Sequence, residues 1–364
     1  MTDSFGRRKF LFGAAGLAAS ATLFGCGTGS SRGSSGGSGG GGKTLVVRNS
    51  GGAYGDANQQ ALYDPFTKET GIQVKVVNLE YAQMLAQIKA GGPQFDVIDD
   101  SMSDFLQFEK NDALHAIEQD KLTNLAKAKV ASNLVTEYAI GKNYWGSVLA
   151  YRTDVFSKAK APQSWADVWN TTAFPGSRSL QGSDADLPEL EFALLADGVA
   201  MDKLYPLDVD RAFTSFDKIK SSVKKWWDTG ALPGVLLGRK EVVMSSVWHG
   251  RLDSLIKAGS PLAYQFHGAR RQSNGWGIPK GSSNVDAAHK LIDFSLRADV
   301  QANFARIYPM GPVVPAAADK LPSSIRNNLL SSPENLPAGF DLDVKWWLSN
   351  QDAVLKRWQE WSNA

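Results

Sequence analysis

The chain has one cysteine, Cys26, and four histidines. A single thiol excludes a disulfide framework and a thiolate metal site. His115, His249, His267 and His289 are scattered, with no pair at a metal-ligand spacing. No metal and no cofactor is expected. A surplus of one charge sign is missing as well: 39 lysines and arginines face 37 aspartates and glutamates. Without a clustered basic excess, no nucleic-acid partner is expected. A membrane-spanning run is also lacking, since the apolar stretch from Phe10 to Phe24 falls short of the roughly 20 residues a helix needs to cross a bilayer. Tryptophan, by contrast, is plentiful, with 11 copies. Most will pack in cores, but flat apolar walls also suit small organic ligands.

The N-terminus reads as an address. Arg7-Arg8-Lys9, the apolar stretch and Leu23-Phe24-Gly25-Cys26 give a charged, an apolar and a cleavage region in order. Residues 1–25 resemble a twin-arginine export signal that ends in a bacterial lipobox. Cys26 is then the lipidation site and the first mature residue. A plain secretory signal with an incidental cysteine is the alternative. Residues 26–42 are nearly all Gly and Ser, which makes a flexible tether. Gly36-Gly37-Ser38-Gly39-Gly40 matches a nucleophile-elbow pattern by composition alone, because neither a strand nor a helix flanks it.

Beyond the tether, strands and helices alternate. Leu45-Val46-Val47 is apolar and ends in the turn Asn49-Ser50-Gly51-Gly52, which feeds a helix with Ala57, Ala61, Leu62 and Phe66 inward. Ile72–Val76 alternates as a strand does, Met84, Leu85 and Ile88 sit at helical spacing, and Phe95–Ile98 is a further strand ending in Asp99-Asp100-Ser101. This order predicts a parallel sheet covered by helices. Ligands of such sheets bind at the carboxyl ends of strands, which puts Ser50, Gly51, Gly52, Asp100 and Ser101 on one rim. Later, Val148–Arg152 reads as a crossing strand, Ser164 as a helix N-cap, and Glu191–Ala196 and Val209–Ile219 as helices. Trp226-Trp227 falls in a helix pattern. Glu241–Ser245 reads as a strand leading to Trp248-His249-Gly250-Arg251, and Asn274–Pro279 as a returning segment. Ala288, Leu291, Ile292 and Leu296 mark one late amphipathic helix, and Trp347, Val354, Leu355 and Trp358 another.

Five stretches occur in an order that resembles one family: Asp64-Pro65-Phe66-Thr67-Lys68-Glu69-Thr70-Gly71, Ser164-Trp165-Ala166-Asp167-Val168-Trp169, Leu204-Tyr205-Pro206-Leu207-Asp208-Val209-Asp210, Trp248-His249-Gly250-Arg251 and Trp276-Gly277-Ile278-Pro279-Lys280-Gly281. The resemblance covers nearly all of residues 43–364. It is to the extracytoplasmic solute-binding proteins of ATP-binding-cassette importers, of the spermidine/putrescine-binding type. It implies an α/β, two-lobe periplasmic-binding-protein (type II) fold with a hinged cleft. It also implies capture of one small solute without catalysis, a cognate permease as partner, a monomer, and membrane contact only through the lipid. The expected lobes are 43–147 (lobe 1, first part), 148–275 (lobe 2) and 276–364 (lobe 1 on return, with the C-terminal helices).

The departures point to the solute. The resemblance implies an Asp after Trp-x-Gly and another before the returning strand, both for ammonium groups; here these positions are Arg251 and Asn274. A guanidinium in a cleft pairs bidentately with a carboxylate or phosphonate. The expected solute is therefore an amine-acid such as 4-aminobutyrate. Ser50, Gly51, Gly52, Tyr54, Asp100, Ser101, Trp145, Trp248, Arg251, Asn274, Trp276 and Tyr308 are the candidate binding residues. Plainer readings stand beside these: for Arg251 an ion pair or an arm reaching out to solvent, a simple turn at 50–52, and core packing for Trp145. A true polyamine receptor using Asp100, Asp184, Asp186 and Glu189 stays open, as does an exported hydrolase built on His249. A ferric-ion receptor fits less well, for want of a Tyr-Tyr pair.

Overall fold

The computed structural model describes residues 44–363; the expected signal, Cys26 and the tether lie outside them. Its strands are β1 (Thr44–Arg48), β2 (Gln73–Val77), β3 (Val97–Ser101), β4 (Leu114–His115), β5 (Ile140–Arg152), β6 (Arg178–Gln181), β7 (Val223–Trp227), β8 (Met244–Trp248), β9 (Leu262–Pro279), β10 (Gly311–Pro312) and β11 (Gly339–Asp341). The sheet runs β2-β1-β3-β9-β5-β8-β6-β7.

The first unit follows the alternation in the sequence. β1 pairs in parallel with β2 on one side and β3 on the other. The intervening helix starts at Gly52, passes through a π-helical turn at Gln59–Tyr63 and continues to Thr70, burying Ala57, Ala61, Leu62 and Phe66. Gly71, at φ 74°, ends it in the left-handed conformation that a side chain would oppose. The helix Tyr81–Lys89 opens with a Glu80–Gln83 capping box. A second box, Ser164–Asp167, starts the helix Trp165–Trp169 where the sequence placed an N-cap.

Two crossings hold the middle of the sheet, and both are longer than the sequence suggested. β5 has 13 residues and β9 has 18, paired antiparallel along most of their length. Arg270, Arg271, Gln272 and Ser273 interrupt any apolar pattern in β9, so periodicity alone misses it. They are buried nonetheless. Arg270 reaches Glu191 at 3.2 Å and Arg271 reaches Asp341 at 2.8 Å.

The apolar residues fall into two main clusters. The first joins Leu45, Phe66, Met84, Val97, Phe105, Ile140, Trp276 and Leu291. The second joins Leu149, Trp165, Phe192, Phe213, Phe216, Trp347 and Trp358. Trp165 stacks on Phe192 at 3.7 Å between centroids, and its indole donates to the Gly268 carbonyl. The C-terminal helix Val344–Asn363 thus belongs to the second cluster, not to the return of the first. Its Trp358 packs edge-on against Phe216 and Trp226, and Trp347 donates to Glu191 at 2.7 Å.

Two further expectations are corrected. Trp226-Trp227 is not helical but closes β7, whose pairing with β6 puts Trp227 in the interior, where its indole donates to Ser246. The strand expected at Glu241–Ser245 begins at Met244. The backbone N–H groups of Glu241 and Val242 are instead held by the carbonyl of Leu236, in the helix Leu232–Gly238.

Candidate functional site

A cavity of about 370 Å³ opens at the strand ends. Ser50 and Tyr54 follow β1, Asp99 to Ser101 end β3, and Ser103 and Asp104 start the next helix. Trp145 and Gly146 come from β5, Ala185 and Asp186 follow β6, Trp248 ends β8 with His249 to Arg251 after it, and Asn274 lies on β9. Tyr308 and Met310 complete the wall. Residues far apart in sequence meet here because β6 and β8 run opposite to β1 and β3, so the carboxyl ends of the two pairs face each other across the middle of the sheet, where β5 and β9 cross.

Nine of the candidates from sequence line this cavity: Ser50, Tyr54, Asp100, Ser101, Trp145, Trp248, Arg251, Asn274 and Tyr308. Three do not. Gly51 and Gly52 form a tight turn, both at positive φ, and the Gly51 N–H is already taken by the Asn49 side chain at 2.8 Å. Trp276 is fully buried in the first cluster. It shares a face of β9 with Asn274, but lies two residues further from the rim, opposite Asp99 instead of Ser101. The Lys142 ammonium covers its ring at 4.1 Å.

The charges sort into satisfied and unsatisfied. Arg48 is buried and pairs with Asp100 at 2.6 Å, while also donating to the Asp99 carbonyl. Burial outweighs that pairing and raises the Asp100 pKa. Asp99 is buried with Lys142 at 2.5 Å, and accepts from Tyr54 at 2.9 Å and Asn49 at 2.8 Å. Tyr54 in turn accepts from Lys142 at 2.8 Å and Asn274 at 3.1 Å. Burial, then the Asp99 charge, pushes the Tyr54 phenol well above its usual range, so it stays a neutral wall. Asp104 is the acid that sequence reasoning missed. Burial first, then the charges of Asp100 and Asp186, raise its pKa well above the carboxylate range. Its signal was its place in the first helical turn after the β3 rim. Arg251 is exposed and has no ion pair within 4 Å among the described residues. The ion-pair reading of Arg251 is thereby set aside, and its exposure fits both an arm reaching out to solvent and a group open to a solute.

The aromatic wall is held from behind. Trp145 and Trp248 meet edge to face at 5.6 Å, and Trp248 donates to Gln181 at 3.0 Å. Gly230 leaves room for the Trp248 ring, since a Cβ there would overlap ring atoms Cε3 and Cζ3. His249 is buried with both ring nitrogens facing backbone carbonyls, Nε2 to Pro309 at 2.8 Å and Nδ1 to Gly146 at 3.4 Å. Neither faces a hydroxyl that a catalytic base would activate.

Residues 61–330 match the family of bacterial extracellular solute-binding proteins. The chain belongs to that family. Among its relatives is a gamma-aminobutyric acid-binding protein of Pseudomonas aeruginosa, 31% identical over 88% of this chain and 91% of its own. A spermidine/putrescine-binding periplasmic protein of Haemophilus influenzae is 26% identical over 65% of this chain and 66% of its own. The crystal structure of an ABC transporter substrate-binding protein from Bradyrhizobium japonicum superposes with a TM-score of 0.83 at 32% identity, covering 88% of this chain and 99% of that one. This solute-binding protein therefore has the periplasmic-binding-protein architecture that its sequence resembles. Its relatives are solute-binding transporter components that work outside the cytoplasm.

Proposed function

We propose that this solute-binding protein is the receptor of an ATP-binding-cassette importer and captures a small amine-acid, 4-aminobutyrate or a near analogue. The observation that carries the reading is an unpaired guanidinium and a carboxyl held back from ionising in one cleft. Arg251 offers a guanidinium without a partner, and Asp104 is a carboxyl crowded by two others. A zwitterion relieves both. Its carboxylate takes the guanidinium fork, and its ammonium lets Asp104 ionise beside Asp100 and Asp186. Trp145, Trp248 and Tyr308 supply apolar faces for the methylene chain. The gamma-aminobutyric acid-binding relative supports the same class. A diamine draws on the same acids but meets Arg251 as a repulsion.

Thermal shift decides between them. Amine-acids (4-aminobutyrate, β-alanine, proline, 2-aminoethylphosphonate) are expected to raise the melting temperature, and putrescine and spermidine are not. Ligand at 100 times its Kd stabilises by about 2.7 kcal/mol. A rise with polyamines alone would sink the reading.

Asp104 makes binding pH-dependent, and the sign follows from its raised pKa. The unliganded carboxyl holds its proton more tightly than a free aspartate does, and an ammonium must displace that proton. Affinity should therefore rise with pH through the raised pKa and fall below it. Asp104→Asn is expected to flatten this profile in calorimetric titrations. A wild-type affinity that climbs as pH falls contradicts the assignment.

On the same reading, residues 43–147 and 276–364 contribute lobe 1 and residues 148–275 lobe 2, with the C-terminal helix packed on lobe 2 as described. Cys26 carries the lipid, and the Gly/Ser segment lets a monomeric receptor reach its permease. Membrane association that survives Cys26→Ala would count against the anchor.

A further inference from the structure

Below the cleft floor lies a second ammonium site, filled by the chain itself. Lys142, on β5, is 4% exposed. Its Nζ donates to Asp99 Oδ2 at 2.5 Å and to Tyr54 Oη at 2.8 Å. Three rings surround it, with centroids at 4.1 Å for Trp276, 4.7 Å for Tyr54 and 5.8 Å for Phe304. A carboxylate set among aromatic faces is how proteins hold a ligand's ammonium. The carboxylate is fixed in place, because Asn49 and Tyr54 also hold its oxygens. Burial lowers Lys142 to about 8 while Asp99 acts in the opposite direction, so the cage keeps it charged at neutral pH. Asp99 and Tyr54 also line the solute cavity, so the cage shares a wall with it. Behind Lys142, beside Phe304 and Gln301, only about 20 Å³ is empty.

We propose that Lys142 is a tethered stand-in for a solute ammonium. By filling the cage of Asp99, Tyr54, Trp276 and Phe304, it denies a diamine a place for its second amine. Removing the lysine side chain opens that place to a free primary ammonium. The specificity half of this proposal rests on the amine-acid reading of the cleft; the cage itself does not.

Lys142→Ala tests it through melting temperature with added methylammonium chloride, against sodium chloride and tetramethylammonium chloride at equal concentration. The variant is expected to melt below the wild type and to recover several degrees with tens of millimolar methylammonium. Neither control should restore it, since tetramethylammonium has no hydrogen to give Asp99. Putrescine affinity should rise at least tenfold over the wild type. A folded variant that responds to methylammonium no more than to sodium chloride overturns the proposal. A variant soluble only when purified with methylammonium supports it. Insolubility with and without the amine, while the neutral pair Lys142→Met with Asp99→Asn folds, overturns it. Recovery without the gain in putrescine affinity overturns the specificity half. Failure of the wild type to bind 4-aminobutyrate sinks the functional reading but leaves the recovery experiment intact.

Discussion

Arg251→Ala is expected to weaken amine-acid binding by roughly 30- to 4000-fold while leaving the unliganded protein as stable as its parent. Truncating one partner of a desolvated, hydrogen-bonded charge pair costs about 2–5 kcal/mol, and each 1.4 kcal/mol is about tenfold in Kd. In the unliganded protein Arg251 is exposed and unpaired among the described residues, so truncating it breaks no ion pair of the fold. Surface changes of that kind stay within about 0.5 kcal/mol. Arg251→Lys should recover only part of the loss, because a point charge cannot make the two parallel bonds of a guanidinium. Calorimetric titration of the three proteins, with a melting curve of each apo form, checks the separation. Unchanged affinity in Arg251→Ala would remove the anion clamp from the cleft. A large drop in apo melting temperature would mean instead that Arg251 supports the fold.

Glu191→Leu should have the largest effect on stability. The Glu191 carboxylate is fully buried and ties three elements together. It accepts from Arg270 of β9 at 3.2 Å, from the Tyr205 hydroxyl at 2.6 Å and from the Trp347 indole of the C-terminal helix at 2.7 Å. Removing it leaves a buried guanidinium, a buried indole N–H and a half-buried phenol without their partner. Breaking a buried pair from one side costs about 3–5 kcal/mol. For a protein of this size each kcal/mol moves the melting temperature by about 2–4 °C, so a fall of roughly 10 °C is expected. The nearby Glu189 limits the loss. Burial has raised its pKa to about 7, and the unmatched Arg270 charge favours its ionised form. Urea unfolding gives the direct reading, and a midpoint equal to that of the parent would mean the Glu191 network contributes nothing.

Much of the fold was readable because its signals are local. A short apolar run marks β1, alternation marks β2, the stretch Phe95–Ile98 marks β3, helical spacing marks Tyr81–Lys89 and Val209–Ile219, and Ser164 marks a helix start. Trp226-Trp227 misled because two adjacent aromatics suit a strand and a helix equally; the partner strand β6 decides. The full length of β9 was hidden because its buried arginines look like surface residues until Glu191 and Asp341 are placed beside them.

The sequence by itself determined the family, most of the order of strands and helices, and half of the residues lining the cavity, because these rest on patterns within a few residues and on motifs in a fixed order. It also carried Arg251, at a position where the family resemblance implied an acid. What only the tertiary structure decided is which charges are already matched. Asp100 is held by Arg48, and Asp99 by Lys142, 43 positions away. Tyr54 is fixed from Asn274, 220 positions away. Arg251 and Asp104 have no ion pair among the described residues, and the proposed solute is assigned to them on that ground. Charge pairing depends on through-space distance and on loss of water, and neither exists until distant strands have come together.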